Sequence, residues 1–370
     1  MAFQLKKNQN AKSNSSDVEY SSMLHSEYDP TVHIPSREMR FLKGLSVGVL
    51  DPPTIRQSEC LMFTEGGVHT FSGDLGAFCN KDYGIRGAVN YKNFLDVYER
   101  FGDKPVTLET KENTLFLKCG RTEVCVPIDT ILSRDFSGFE KPDKDEWVTL
   151  SPDYVRALRD CANLVRTTNR DDVLSSISVE QEKVCGGSSA ELMCRYINSP
   201  FDRRFLIRAN PLLKILKKDV KKAQLIGKWL YFQDKLGGVV YNLPVYDDEY
   251  IDVEEYFQPV SNVIVFPRKE LLEALDTCMG VVKGEEKIRV QIDSITKVCR
   301  IRGKSIGTKD NSCVSLFKTE VPMDSSISAD FLIEPKVLYR VVYNYPECTL
   351  CFGNGIRVNT PELSYSASIE

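Results

Sequence analysis

Histidine is scarce in this 370-residue chain: His25, His33 and His69 are the only three. The first two fall in a polar N-terminal stretch, so a histidine-based triad or metal centre would rest on His69 alone. In its context, VHTFSG, a single imidazole reads as a strand residue. Phosphate-binding loops are missing as well. Gly303-Lys304-Ser305 has the ending of one, but the glycine required five positions before Gly303 is Val298, and KVCRIRGKSIG reads as a turn between strands. The glycines at 186–187 and 237–238 lie between strand-like segments, with no helix start behind them to hold an anion. No apolar run approaches the roughly 18–20 residues that span a bilayer. The first residues, MAFQLKKNQNAKSNSSDVEYSS, lack the apolar centre of a secretory signal. These absences point away from catalysis, cofactors, metals and membranes.

What is present describes a soluble globular chain, 42% hydrophobic and 27% charged, long enough for two or three cores. Twelve cysteines are scattered without a dense framework, which predicts free thiols, a reducing compartment and a cytoplasmic location. Cys348 and Cys351 form a CxxC, yet they sit in ECTLCFGNGIRV, an alternating strand running into a glycine turn. Carboxylates crowd YDDEYIDVEEYF at 246–257, but their spacing fits no calcium loop, so a solvated edge is expected. Residues 1–33, rich in Asn, Ser and Lys, read as a flexible arm.

Against a net charge of -4, the segment NPLLKILKKDVKKAQ at 210–224 concentrates five lysines. Wound as a helix, it sets Lys214, Lys217, Lys218, Lys221 and Lys222 on one side and Leu212, Leu213, Leu216, Val220 and Ala223 on the other. A second helix, from Ser151 as N-cap and Pro152 in the first turn, gathers Arg156, Arg159, Asn163 and Arg166 opposite Tyr154, Leu158, Cys161 and Val165. Two helices that are basic on their outer faces make a surface suited to phosphate.

These helices belong to a repeat. Three segments, 90–128, 210–248 and 334–369, each run from a short amphipathic helix into strand, turn and strand. Their starts lie about 120 residues apart, a spacing that suits one domain each. Ahead of the second and third lies another helix-then-strands half, at 150–184 and 266–303. The expected organisation is α+β: an arm at 1–33, helix-sheet domains at 34–136, 148–259 and 260–370, and a linker at 137–147.

In this arrangement the chain resembles the sliding clamp of DNA replication, the bacterial β type, over residues 34 to 370. The resemblance is carried by NYKNFLDVYERFGDKPVTLETKENTLFLKCGRTEVCVPI, by DEYIDVEEYFQP where the family closes its second domain, and by SYSASIE at the end. It implies the DNA clamp fold, with helices lining the bore of a ring and antiparallel sheets outside. It further implies a head-to-tail homodimer, cellular or viral, without catalysis, that encircles double-stranded DNA and tethers a DNA polymerase. An ATP-dependent clamp loader would place it. Lys336 and Arg340 then join the basic residues in the bore, while Glu273 and Asp276 stand where the middle domain has Arg156 and Arg159. A partner-peptide pocket is implied at Ala190, Leu192, Ile251, Tyr256, Ser364 and Ser366, with serines in place of the family's aliphatic residues. A structural assembly protein built from duplicated units is the alternative, and a hydrolase a weaker one.

Overall fold

The computed structural model describes residues 32–34 and 39–369, apart from 51–55, 103, 135–141, 166–172, 254–255, 258–262, 283–285, 307–312, 346 and 352–354. One element order occurs three times. In the first unit β1 (Val32–Ile34) and α1 (Met39–Gly44) precede β2 (Cys60–Thr64), β3 (Gly67–Phe71), β4 (Gly76–Cys79) and β5 (Gly87–Asn90). Then come α2 (Tyr91–Arg100), β6 (Val106–Lys111), β7 (Thr114–Cys119) and β8 (Thr122–Pro127). A short helix, α3 (Thr130–Arg134), leads out of it.

The second unit is β9 (Val148–Thr149), α4 (Pro152–Leu164), β10 (Ser176–Val179), β11 (Lys183–Gly187), β12 (Glu191–Tyr196), β13 (Phe205–Arg208), α5 (Ala209–Leu216), β14 (Val220–Ile226), β15 (Trp229–Asp234) and β16 (Val240–Tyr246). The third is β17 (Val263–Val265), α6 (Arg268–Val281), β18 (Ile288–Asp293), β19 (Val298–Ile306), β20 (Cys313–Pro322), β21 (Ala329–Ile333), α7 (Pro335–Asn344), β22 (Glu347–Cys351), β23 (Gly355–Thr360) and β24 (Leu363–Ala367).

Within each unit the strands form two antiparallel four-stranded rows, in the orders 4-3-2-5 and 1-6-7-8 for the first. The middle four rows fuse into one sixteen-stranded sheet, because β24 pairs with β12, β13 pairs with β16 within the second unit, and β16 pairs with β4. The outermost rows, β1-β6-β7-β8 and β20-β19-β18-β21, remain separate. Alternation explains the strands: in β7 Leu115, Leu117 and Cys119 are buried while the residues between them are only partly so. The helices pack in pairs, α4 on α5 and α6 on α7, and turn their apolar sides to a core that includes Tyr154, Leu158, Leu212, Leu271, Leu338 and Val341.

Local chemistry sets several boundaries. The Ser151 hydroxyl accepts from the Tyr154 amide 3.1 Å away, with Pro152 in the first turn of α4. Val32 and His33, read from sequence as part of the arm, lie in β1 and pair with β6. Gly303 is not a turn residue but sits within β19, where a Cβ would meet Val282 and Ile288 side-chain carbons at 2.6 and 2.9 Å. Gly186, at the matching place in β11, would press a Cβ against the Cys161 carbonyl of α4 at 2.6 Å.

The cysteine expectation also changes. Cys185 and Cys194 face each other across β11 and β12 and form a disulfide. Cys60, Cys79, Cys119, Cys161, Cys278 and Cys299 are buried thiols, and Cys125 is an exposed one. No described helix is long and apolar enough to cross a membrane.

Substituting Gly186→Ala is expected to push α4 off the sheet and lower stability by about 1–3 kcal/mol. The shift in a urea unfolding midpoint measures it.

Candidate nucleic-acid interface and partner pocket

The basic residues of the second unit do not all lie on one helix face. Lys214 and Lys217 are exposed at the end of α5, and Lys218 is half-buried just beyond it. Lys221 and Lys222 lie on β14 instead, because α5 stops at Leu216 and Asp219 turns the chain at φ 51°. A bulge between Val220 and Lys222 then buries Val220 and Ala223 together, three residues apart. That spacing mimics a helical period, which is why the sequence reads as one long helix. Lys222 lines a cavity of about 670 Å³ with Lys81, Lys144, Phe41 and Trp147.

On α4, Arg156 and Arg159 are exposed, while Arg166 lies outside the described residues. Arg156 pairs with Asp153 at 3.4 Å. The Arg159 guanidinium donates to the Leu216 carbonyl at 3.1 Å, setting a cation at the C-terminus of α5, where the helix dipole favours it. This hydrogen bond fixes the α4–α5 pair and leaves Arg156, Lys214 and Lys217 as solvent-facing cations beside it.

In the third unit Lys336 is exposed on α7, and Glu273 and Asp276 are exposed on α6. Arg340 is differently engaged from the solvent-facing cation expected. Its guanidinium donates at 2.5 Å to Oε1 of Glu191, a carboxylate only 4% exposed, and the Tyr365 hydroxyl donates to the same oxygen at 2.6 Å. Burial, then the Glu191 charge, holds the Tyr365 phenol well above its usual range, so it remains a donor. Sequence reasoning passed over three residues beside Lys336. Tyr339 and Tyr343 stack with centroids 6.1 Å apart, and the Arg268 guanidinium from α6 lies 5.1 Å from the Tyr343 ring centre. The i, i+4 tyrosines were visible in VLYRVVYN; the arginine that completes the cluster is distant in sequence.

Five of the six expected pocket residues line one cavity of about 240 Å³: Ala190, Leu192, Ile251, Tyr256 and Ser366. Leu174, Ser188, Ser189, Glu191 and Ser368 complete it. Ser364 stands two residues before Ser366 on β24, opposite Cys194, with its hydroxyl 3.1 Å from that of Tyr196. The pocket opens at the β12–β24 seam. Over the same seam lies the acidic segment, described at 246–253 and 256–257; its carboxylates at 247–249 are solvated as expected, while its apolar residues anchor it to the sheet as a strap. Asp247, Asp248 and Glu249 face solvent, while Tyr250, Val253 and Phe257 are buried against Leu192, Cys194 and Leu206.

No protein-family profile matches the chain, and no curated protein matches it in sequence. Solved structures do. A putative DNA polymerase III β subunit from Eubacterium rectale superposes with a TM-score of 0.75 at 15% identity. The β subunit of Pseudomonas aeruginosa gives 0.74 at 14%, and the Helicobacter pylori β clamp bound to a DNA ligase peptide gives 0.70 at 14%. Each match covers 92% of this chain and 99% of the other. The chain has the sliding-clamp fold. Here the cavity lies at the seam between the second and third units, and Arg156, Lys214, Lys217 and Lys336 are exposed on or beside the helices.

Glu191→Ala should remove the acceptor shared by Arg340 and Tyr365 and destabilise the chain by about 3 kcal/mol, the scale of a broken buried pair. Arg340→Met, which leaves Glu191 buried with one donor, should cost a similar amount. Thermal unfolding of both variants checks this.

Proposed function

We propose that this chain is a processivity clamp: a non-catalytic ring of two copies around double-stranded DNA that tethers a DNA polymerase. The observation that carries the proposal is the repetition of one seam. The last strand of the second unit, β16, pairs with β4 of the first, and the last strand of the third, β24, pairs with β12 of the second. The same rule leaves one pair unmade, β8 of the first unit with β20 of the third. Within one chain these stand at opposite ends. A second copy supplies both partners, so the interface is heterologous and closes into a ring of six units.

In this reading the domains are 34–136, 148–259 and 260–370, with β1 extending the first by two residues. The helix pairs line the bore, where Arg156, Lys214, Lys217, Lys218 and Lys336 meet phosphates without reading bases. Lys221, Lys222, Arg166 and Arg340 are not needed for it. The net charge of -4 keeps DNA from the outer surface. The cavity at the β12–β24 seam takes a peptide from the polymerase or from an ATP-dependent loader, as a DNA ligase peptide is bound in the Helicobacter pylori structure. Acting on DNA, the ring works in the cytoplasm, or in the host's if the chain is viral.

Light scattering should show a discrete dimer, and protein assembled on circular DNA should stay bound until the circle is cut. Equal loss from circular and linear forms would remove topological linkage. Reversing Arg156, Lys214 and Lys217 to Glu should leave the dimer intact while lowering the log–log salt slope of DNA binding by about 0.9 for each phosphate no longer neutralised. An unchanged slope would reject the bore assignment.

A further inference from the structure

The three units share a register, which allows the unmade seam to be written residue by residue. Two positions before the N-cap of the second helix in each unit lie Ala88, Leu206 and Leu332. Crossing the sheet from these gives Ala88↔Met62↔His69↔Phe78, Leu206↔Ser178↔Cys185↔Cys194 and Leu332↔Arg289↔Arg302↔Lys318. Phe78, Cys194 and Lys318 are therefore equivalent. At the two made seams Phe78 meets Val240 and Cys194 meets Ser364. The counterpart of Ser364 on β8 follows from the hairpins. Thr360↔Leu363 and Cys119↔Thr122 each close a two-residue turn, so Glu123 occupies the place of Ser364.

We propose that β8 and β20 of two copies pair with Glu123 opposite Lys318, Val124 opposite Phe317 and Cys125 opposite Leu316. This inference rests on the ring reading and adds the register to it. Its faces agree. Val124 is half-buried and Phe317 buried toward the core, while Glu123, Cys125, Leu316 and Lys318 are exposed on the other side. Two residues further along, past Thr122 and Thr319, Arg121 in the β7–β8 turn stands against Glu320, as Glu362 in its turn meets Tyr196 through a backbone bond of 3.0 Å. Both exposed charged pairs, Glu123 with Lys318 and Arg121 with Glu320, are of opposite sign.

The made seams explain why charges stand there. At the first, Phe78 and Val240 cluster with Tyr231 beneath Trp147 of the preceding connector. At the second, Cys194 and Leu192 lie beneath Tyr250, Val253 and Phe257 of the strap. A connector covers each seam, so the outer residues there are uncharged: Phe78, Val240 and Asn242 at the first, Leu192, Cys194, Ser364 and Ser366 at the second. Glu123 belongs to the first unit and Lys318 to the third, and no connector links one copy to the next. An uncovered strand edge carries charge, which blocks indiscriminate pairing while opposite signs select this partner.

Charge reversal and rescue test the register, with dimer dissociation followed by sedimentation across a dilution series. Glu123→Lys and Lys318→Glu should each weaken the dimer about tenfold per interface, hence about a hundredfold for a ring with two. The double variant should regain most of that affinity. In a chain carrying Leu316→Cys, mild oxidation should link the new thiol to Cys125 of the other copy, and Cys125→Ser should abolish the link. A wild-type dimer whose charge variants show no rescue, or whose Cys125 couples to Phe317→Cys or Lys318→Cys in preference, overturns the register and leaves the ring standing. A wild-type chain that stays monomeric at every concentration overturns both.

Discussion

Backbone groups at a strand edge must find a partner, and this fold is organised by how it meets that demand. A four-stranded row has two edges, each a line of unpaired amides and carbonyls. Here the units solve the problem serially: β16 closes against β4 and β24 against β12, so the rows of neighbouring units become one sheet. Short connectors then lie across the outside of each seam and bury its apolar side chains. The acidic strap shows how economical this is, since Asp247, Asp248 and Glu249 remain in water while Tyr250, Val253 and Phe257 pack inward.

Because the seams are made by strands, the helices are left free of that task and keep one polar side each. The polar sides are unequal. The second unit offers Arg156, Lys214 and Lys217, while the third sets Glu273 and Asp276 beside Lys336 and a stack of Tyr339, Tyr343 and Arg268. A surface that holds phosphates by long-range attraction needs only a net positive field, not a uniform one. The uneven distribution is thus compatible with a duplex held loosely and without sequence preference.

Much of this was legible in the sequence because periods of 3.6 and 2 are distinct. The helices from Tyr91, Pro152, Ala209, Arg268 and Pro335 and the hairpins that follow them could be read from alternation, and the Ser151 cap from its residue type. Where reading failed, the cause was local geometry or distance. The bulge at Val220 gave a strand the spacing of a helix. Gly303 looked like a turn because glycine serves turns and close helix approach equally, and only packing against Val282 distinguishes them. Cys185 and Cys194 are nine residues apart, but their pairing depends on hairpin register. The five pocket residues came together through family likeness, whereas Glu191, between Ala190 and Leu192, could not be tied to Arg340 across 149 positions.

That last ion pair has a consequence for how the two sides of the molecule communicate. Glu191 lies on the seam strand β12 and lines the pocket, and Arg340 stands on α7 among the exposed residues of the helix layer. A carboxylate so buried is tolerable only with its donors in place, since stripping one partner from such a pair costs roughly 3–5 kcal/mol. A displacement of α7 that carried Arg340 away from the seam would incur that cost at a residue that lines the pocket. Helix and pocket are therefore coupled through one ion pair, so that α7 and β12 gain by keeping their relative position.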